Sequence, residues 1–138
     1  MSPLELKVAG LLPILEQHGS VYLLALVERD DGKSDVVLSS RWSDEQTHDA
    51  IRGVAESLVP QLTVEERASL SRVVVFPSSD ARVAAFTRAT RIEHGTLDVR
   101  DSVFFGLEVR RATLFRSISP VEAEPATAVH EDRVKDAE

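Results

Sequence analysis

Residues 21–28, with the sequence VYLLALVE, decide the fold that the rest of the chain adopts. The first seven are apolar, and they include valine and tyrosine, which favour strands. An uninterrupted apolar run of this length is typical of a strand that is buried on both faces. We therefore predict a strand at 21–28 with no face exposed to water.

A hairpin is predicted directly after this strand. Residues 29–33 contain Asp31-Gly32, a strong sequence signal for a tight turn between antiparallel strands. Residues 35–40, with the sequence DVVLSS, are then expected to form the returning strand.

The chain before the strand predicts a helix. Ser2 and Glu5 form a capping box, with Pro3 at the first helical position. Pro13 is expected to kink or divide this helix, because proline removes a backbone hydrogen bond, and Gly19 is expected to end it. Apolar side chains recur at helical spacing at Leu4, Val8, Leu11, Leu12 and Leu15.

Residues 36–76 have the pattern of strand, helix and strand, which permits one right-handed parallel crossover. Residues 43–46 form a second capping box and open an amphipathic helix that Pro60 ends or bends. Residues 63–66 form a third box and open a short helix. Residues 73–76 are wholly apolar, and we expect them to form a central strand.

The later part of the chain changes from helical to alternating periodicity. A helix beginning after Asp80 is expected to bury Val83, Phe86 and Ala89. Two or three antiparallel strands should follow, with Gly106 as a bulge. These strands are predicted at residues 96–100, 103–109 and 112–118.

Together these elements predict a single α+β domain over residues 1–118. We expect a mixed, mostly antiparallel sheet of about five or six strands with helices packed on it. The predicted order is α-β-β-α-α-β-α-β-β, with one further strand optional. Residues 119–138 lose aromatic side chains and gain proline, alanine and acids, so we predict a disordered acidic tail there.

The composition excludes several classes of function. Because the 138 residues include no cysteine, a disulfide framework, a thiolate zinc site, an iron–sulfur cluster and a cysteine nucleophile are all excluded. No dinucleotide-binding, P-loop or serine-hydrolase motif is present, and we predict no cofactor and no metal. The chain has neither a signal peptide nor an apolar run of about 20 residues, so the expected location is cytoplasmic, with no membrane partner.

The formal charge of −7 is spread unevenly along the chain. Residues 1–81 carry −6, residues 82–118 carry +3 and residues 119–138 carry −4. Affinity for nucleic acid comes from lysines and arginines that neutralise phosphates, so the overall charge argues against such a partner. The segment 82–118 is a local exception to this argument, because its net charge is +3.

The exit of the strand at 73–76 is the best candidate for a ligand-binding site. Ser78, Ser79 and Asp80 follow that strand and precede a helix, where sheets open a crevice and helices offer unpaired N–H groups. Asp80 is also a candidate catalytic carboxylate, and His94, near two acids, is a candidate general base. The alternative interpretation is ordinary capping by Ser78 or Ser79, with Asp80 complementing the helix dipole.

Arginines of the C-terminal half are candidates for a partner-binding surface. If they converge with Phe104 or Phe105, they make an Arg/aromatic patch suited to an acidic partner, a phosphate or a base. The alternative is a solvated face that also protects an exposed edge strand. Trp42 is expected to pack in the core or as a hydrophobic staple on its own helix, with an interface role as the alternative. The candidate partner-binding residues are Arg88, Arg91, Arg110, Arg111 and Arg116.

Three classes of function remain open. We favour a non-enzymatic intracellular interaction protein, such as a small adaptor, inhibitor or immunity-type partner, that binds another protein through a sheet edge or the Arg/aromatic patch. Self-association through an edge strand is compatible with this class. The second class is a small enzyme or ligand-binding domain with a polar crevice at residues 78–80. The third is nucleic-acid binding through the C-terminal arginine-bearing strands.

Deletion of residues 119–138 tests the predicted domain boundary. The composition of this segment indicates that it buries almost no apolar surface, so we expect the deletion to leave Tm nearly unchanged in thermal unfolding. A loss of more than a few degrees would show that the segment docks on the domain.

Overall fold

The computed structural model describes residues 1–124, and its architecture is built on five strands. The strands are β1 (Val21–Arg29), β2 (Ser34–Ser40), β3 (Leu70–Val75), β4 (Leu97–Phe104) and β5 (Leu107–Ser117). They form one mixed sheet in the order β3-β2-β1-β5-β4. All neighbouring pairs are antiparallel except β2 and β3, which are parallel. The predicted α+β class with a mixed, mostly antiparallel sheet is confirmed.

Helices cover both faces of this sheet. They are α1 (Pro3–Ala9), α2 (Leu11–Glu16), α3 (Arg41–Glu45), α4 (Thr47–Leu58), α5 (Val64–Ser69), α6 (Ala81–Ala89) and α7 (Pro120–Ala123), with a 3-10 turn at Val59–Gln61. Buried side chains of α1, α2 and α4 form one core cluster with the sheet, and α6 packs on the other face. Within residues 1–124, no helix is long and apolar enough to cross a membrane.

The strand β1 lies at the centre of the sheet, between β2 and β5. Its residues 21–27 are all buried, as the sequence predicts. Leu24 and Leu26 point to the cluster under α1, α2 and α4, whereas Leu23 and Val27 point to the opposite cluster. Because both faces of β1 are apolar, both faces of the sheet need a covering layer.

The N-terminal helix is divided at Gly10, and the expected division at Pro13 was wrong. Pro13 lies in the first turn of α2, where a backbone N–H has no helical acceptor and its loss is tolerated. Ser2 and Glu5 do form the predicted capping box of α1.

The second predicted capping box was placed three residues too late. Ser40 caps α3 and exchanges hydrogen bonds with Ser43. Gln46 then interrupts the helix with a φ of −139°, and α4 begins without a side-chain cap. The third box, between Thr63 and Glu66, is where the sequence places it.

The strand β3 lies at an edge of the sheet, so the prediction of a central position was wrong. Its two faces belong to two different cores: Val73 and Val75 pack against the cluster under α4, and Val74 packs against the opposite cluster. Burial of both faces requires helices or loops above and below a strand, but it does not require a strand on both sides. The apolar sequence of β3 therefore leaves its sheet position undetermined.

The closing meander has two strands, within the two or three predicted, but the strand boundaries differ from the predicted runs. Asp101 and Arg110, which were expected to punctuate the runs, lie inside β4 and β5. The last pair of the β4–β5 ladder is formed by residues 104 and 107, so Phe105 and Gly106 are the turn. Both have positive φ, 54° and 85°, as a two-residue turn of type I′ requires. Gly106 is thus a turn residue and not a bulge.

The inward face of α6 differs in one position from the prediction. Val83 is buried and Phe86 packs partly against the core, but Thr87 is the next buried residue and Ala89 is exposed. The Thr87 hydroxyl donates a hydrogen bond of 2.7 Å to the Val83 carbonyl, which satisfies the buried polar group within the helix.

The start of the segment predicted to be disordered is folded onto the domain. Residues 120–123 form α7, and Glu124 accepts a hydrogen bond from Tyr22 and lies 3.0 Å from Arg41. These contacts are specific pairings, which the overall composition of the segment does not reveal. A deletion from residue 119 would remove these contacts, so the nearly unchanged Tm that composition predicts is expected only for deletion of residues 125–138. Those residues lie outside the described part of the chain, so the tail and the boundary at residue 118 stay predictions.

Trp42 packs on other elements and not as a staple on its own helix. Its ring stacks on His18, with ring centres 3.8 Å apart and planes inclined by 10°. It also lies over Gly53 of α4, where an added Cβ atom would come within 2.5 Å of the ring. The missing side chain of Gly53 thus permits the close approach of α3 and α4.

Replacement of Gly53 by alanine is expected to destabilise the protein. Alanine normally stabilises a helix interior by about 0.5–1 kcal/mol relative to glycine. Here the new methyl group would displace Trp42, and such overpacking costs about 1–3 kcal/mol. Urea unfolding should show a lower free energy of unfolding for Gly53→Ala.

The matched control is Gly10→Ala, because a Cβ atom at Gly10 would lie 3.4 Å from its nearest neighbour, with no φ that disfavours a side chain. We expect this variant to be neutral or slightly stabilised. Equal effects of the two substitutions on the free energy of unfolding would contradict the packing argument.

Candidate functional site

Ser78 and Asp80 lie where the parallel strands end, but their polar groups are bound within the domain. The backbone N–H of Ser78 donates to the Asp44 carboxylate at 2.9 Å, and the Ser78 hydroxyl donates to the same group. Asp80, and not Ser78 or Ser79, is the N-cap of α6. Ser79 is exposed on the same loop. The loop is thus fastened by internal hydrogen bonds.

Asp80 is held as a carboxylate mainly by one neighbour, Arg82. Its oxygens accept a hydrogen bond from the backbone N–H of Arg82 at 2.8 Å and lie 2.9 Å from the Arg82 guanidinium. The hydrogen bonds from the Arg82 side chain and backbone lower the pKa of Asp80 below its ordinary value. Asp80 is therefore a capping anion, which cannot act as a proton donor near neutral pH.

The two catalytic candidates, Asp80 and His94, lie at opposite ends of α6. Its nine residues span about 13 Å at the usual helical rise. His94 is exposed and lines an open depression with Arg116 and Glu16, which form an ion pair of 2.8 Å. The geometry does not unite His94 with Asp80 in one site.

Four of the five candidate partner-binding arginines form ion pairs within the domain. Three of the four, Arg110, Arg111 and Arg116, lie on β5, but they pair with acids of β1, α1 and α2, so their guanidinium groups are directed to different neighbours. Arg88 is exposed on α6 and forms no ion pair with the described residues. The four pairs are Arg91 with Glu122 at 2.7 Å, Arg110 with Glu28 at 3.5 Å, Arg111 with Glu5 at 3.1 Å and Arg116 with Glu16 at 2.8 Å.

An Arg/aromatic arrangement does form, but around Arg82. Its guanidinium carbon lies 5.0 Å from the ring centre of Phe76 and 5.9 Å from that of Phe105, within the range of a cation–π interaction. The Phe76 and Phe105 rings meet edge to face at 4.7 Å. The β4–β5 turn thus brings Phe105 to the strand exit at Phe76, a contact between residues distant in sequence.

The outer edge of β3 has no strand beside it in the described part of the chain. The Phe76 N–H donates to the Leu38 carbonyl at 3.0 Å, so the backbone groups of Phe76 face β2. Successive residues of a strand present their backbone groups to opposite edges. The N–H and C=O groups of Val75 and Val73 therefore face the open edge.

An apolar groove of about 370 Å³ lies between this edge and α4. Its charged lining residues are two arginines, Arg67 and Arg72. Its apolar lining includes Ile51, Ala55, Val59, Leu62, Leu70 and Val73. The open edge of β3 and this groove together are called the β3 edge site below.

A buried carboxylate fixes Arg72 at this edge. Asp35 of β2 is buried, and its Oδ2 atom lies 3.3 Å from Arg72 Nε and 3.8 Å from Arg29 Nε. Two guanidinium groups thus share one carboxylate, and Arg29 also lies 3.8 Å from Asp31, so the two arginines and the two aspartates balance in charge. The Arg72 side chain is 54% exposed, so its outer nitrogens face water.

The sequence did not lead us to the β3 edge site, although one signal for it is present. Ile51, Ala55 and Val59 recur at intervals of four residues beside the buried stripe of Ala50, Val54 and Leu58. The apolar arc of α4 is therefore wider than contact with the sheet requires. Only the edge position of β3 reveals that the second stripe borders a groove.

Comparisons with protein-family models, with curated proteins and with solved structures gave no match. Within residues 1–124, no group of three or more His, Asp or Glu side chains is placed to hold a metal ion. The function of the site therefore has to be argued from its own geometry.

The pKa of Tyr22 reports on its hydrogen bond to Glu124, a contact that is called the clasp below. Burial, followed by the hydrogen bond to Glu124, raises the pKa of Tyr22 above its ordinary value of 10.0. Because Tyr22 is the only tyrosine, absorbance of the phenolate measures this group alone. We expect ionisation of the folded protein well above pH 10.0, and a lower midpoint in Glu124→Gln, which removes the negative charge.

The same shift predicts the pH dependence of stability. The folded chain retains the phenol proton to a higher pH than the unfolded chain, so this stabilisation is complete below the unfolded pKa and is lost as pH rises above 10.0. A midpoint near 10.0 in the folded wild-type protein, unchanged in Glu124→Gln, would contradict the clasp.

Proposed function

We propose that this protein is an interaction domain that binds an extended segment of another protein by adding it as a strand to β3. The observation that carries the proposal is the combination of an open strand edge with an apolar groove beside it. The proposal includes the expected cytoplasmic location and involves no catalytic step.

The backbone of β3 supplies the first half of the recognition. Val73 and Val75 present N–H and C=O groups at an edge that no described strand covers. Natural edge strands are usually protected by proline, by lysine or by a bulge. β3 contains no proline or lysine. Its pairing with β2 is irregular between Leu70 and Arg72 and regular from Arg72 to Val75. This segment is therefore suited to strand addition.

The groove supplies the second half, which is specificity. In strand addition, backbone hydrogen bonds give affinity, and pockets for alternate side chains select the sequence. Side chains of an added strand on the Val73 face would lie against Ile51, Ala55 and Val59 of the groove. Val59 is 37% exposed, so apolar surface remains to be covered there.

The size of the site predicts transient binding. A short strand would form only a few hydrogen bonds, each worth a net of about 0.5–1.5 kcal/mol. Interfaces that bury less than about 1,200 Å² belong to weak and transient complexes. We therefore expect peptide affinities that change mainly in the dissociation rate when the groove is altered.

Selection of peptides from a random display library tests the proposal. Peptides enriched on the wild-type protein should lose binding to Val75→Pro, which removes an N–H at the open edge only, and to Ala55→Gln, which fills the groove. The matched control is Glu56→Gln, an exposed neighbour on α4 outside the groove, which should bind as the wild type does.

Circular dichroism would establish that each variant is folded, and the two blocking variants act through different elements. Enriched peptides that bind equally well to Val75→Pro and Ala55→Gln would show that the β3 edge site is not the binding surface.

A further inference from the structure

We infer that the domain binds an ordered water molecule in a small cavity behind β3, where the water joins the Asp35 carboxylate to the Arg29 guanidinium. The cavity lies on the sheet face opposite the apolar groove. This internal site is therefore separate from the β3 edge site, and its occupancy does not depend on strand addition.

An irregularity in the parallel pairing of β2 with β3 brings the charged groups of this site together. Ser34 lies opposite Leu70, but the next residue, Asp35, lies opposite Arg72, so Ser71 is an extra residue on β3. An extra residue of this kind turns the following side chain in a new direction. Here it places Arg72 beside Asp35, and Arg72 Nε donates a hydrogen bond of 3.3 Å to Asp35 Oδ2.

Two buried polar atoms of this cluster, Asp35 Oδ1 and Arg29 Nε, have no hydrogen-bond partner in the described part of the chain. Asp35 is only 3% exposed, so bulk water does not surround its carboxylate. Arg29 Nε lies 3.8 Å from Asp35 Oδ2, which is too far for a hydrogen bond. Because a buried charged group with an unmade hydrogen bond is costly, these two atoms require a further partner.

A small cavity beside both residues supplies the space for that partner. It has a volume of about 40 Å³ and is lined by Asp35 and Arg29. A water molecule needs about 10–15 Å³ of such space, whereas sites for metabolites are several times larger than this cavity. Apart from Arg72, the other lining residues are apolar and include Val37 and Val109. The charged groups are therefore the side-chain hydrogen-bond partners of a water molecule held there.

The balance of charge favours a neutral occupant over an ion. Arg29 and Arg72 are matched by Asp31 and Asp35, so the cluster has no net charge to attract an ion. A cation would meet two guanidinium groups, and an anion would meet the unpaired oxygen of Asp35. Water can accept a hydrogen bond from Arg29 Nε and donate one to Asp35 Oδ1, so one molecule satisfies both atoms.

Oxygen-17 relaxation dispersion tests the inference in solution, because it counts water molecules that stay in a protein for longer than the protein takes to tumble. Val37→Ile and Val109→Ile each add one carbon to a wall of the cavity, from β2 and from β5. We expect each variant to hold one long-lived water fewer than the wild type. The matched control is Val36→Ile, a buried neighbour on the opposite face that does not line the cavity, which should keep the wild-type count.

A crystal structure that resolves solvent identifies the occupant directly. We expect density within hydrogen-bond distance of both Asp35 Oδ1 and Arg29 Nε in the wild-type protein. An unchanged count of long-lived waters in both cavity variants would overturn the inference, as would a direct hydrogen bond from an arginine to Asp35 Oδ1. Anomalous scattering from rubidium at this position, in crystals soaked with rubidium chloride, would assign the site to a cation and overturn the choice of water.

Discussion

Burial of β1 on both faces is the constraint on which the rest of the structure depends. An apolar strand at the centre of a sheet requires hydrogen-bonding neighbours on both edges and apolar layers above and below. β2 and β5 supply the neighbours, α1, α2 and α4 supply one layer, and α6 with the β4–β5 turn supplies the other. Each of these elements either pairs with β1 or covers one of its two faces.

The sheet that results has two edge strands, β3 and β4, which have different surroundings. β4 ends in a turn whose Phe105 ring contacts Phe76 near the opposite side of the sheet. β3, by contrast, ends the sheet beside the second apolar stripe of α4, and the groove between them stays open. The core thus forms without a strand that pairs with the outward backbone groups of Val73 and Val75. These backbone groups, which face an edge with no neighbouring strand, are the physical basis of the proposed interaction.

Most charged groups outside this edge are already paired. Glu5 shows the pattern: it is buried, caps α1, accepts a hydrogen bond from Thr113 at 3.1 Å and pairs with Arg111 at 3.1 Å. Arg111 in turn lowers the pKa of Asp98 through a hydrogen bond. Such pairs satisfy buried carboxylates and fasten helices to the sheet. They also explain why four of the five arginines that stand out in the sequence are paired within the domain, whereas Arg67 forms no ion pair with the described residues.

The sequence by itself determined where most of the strands and helices lie, because apolar periodicity and capping chemistry are local. It placed β1, the hairpin to β2, the caps at Ser2 and Thr63 and the helix after Asp80. It could not place β3 in the sheet or find the groove. An apolar face indicates that a strand is buried, but it does not indicate which strand lies beside it. Tertiary structure alone decided which arginines are paired, that Phe105 meets Phe76, and that the edge of β3 is open. Each of these depends on the distance between residues far apart in the chain, which only the folded sheet fixes.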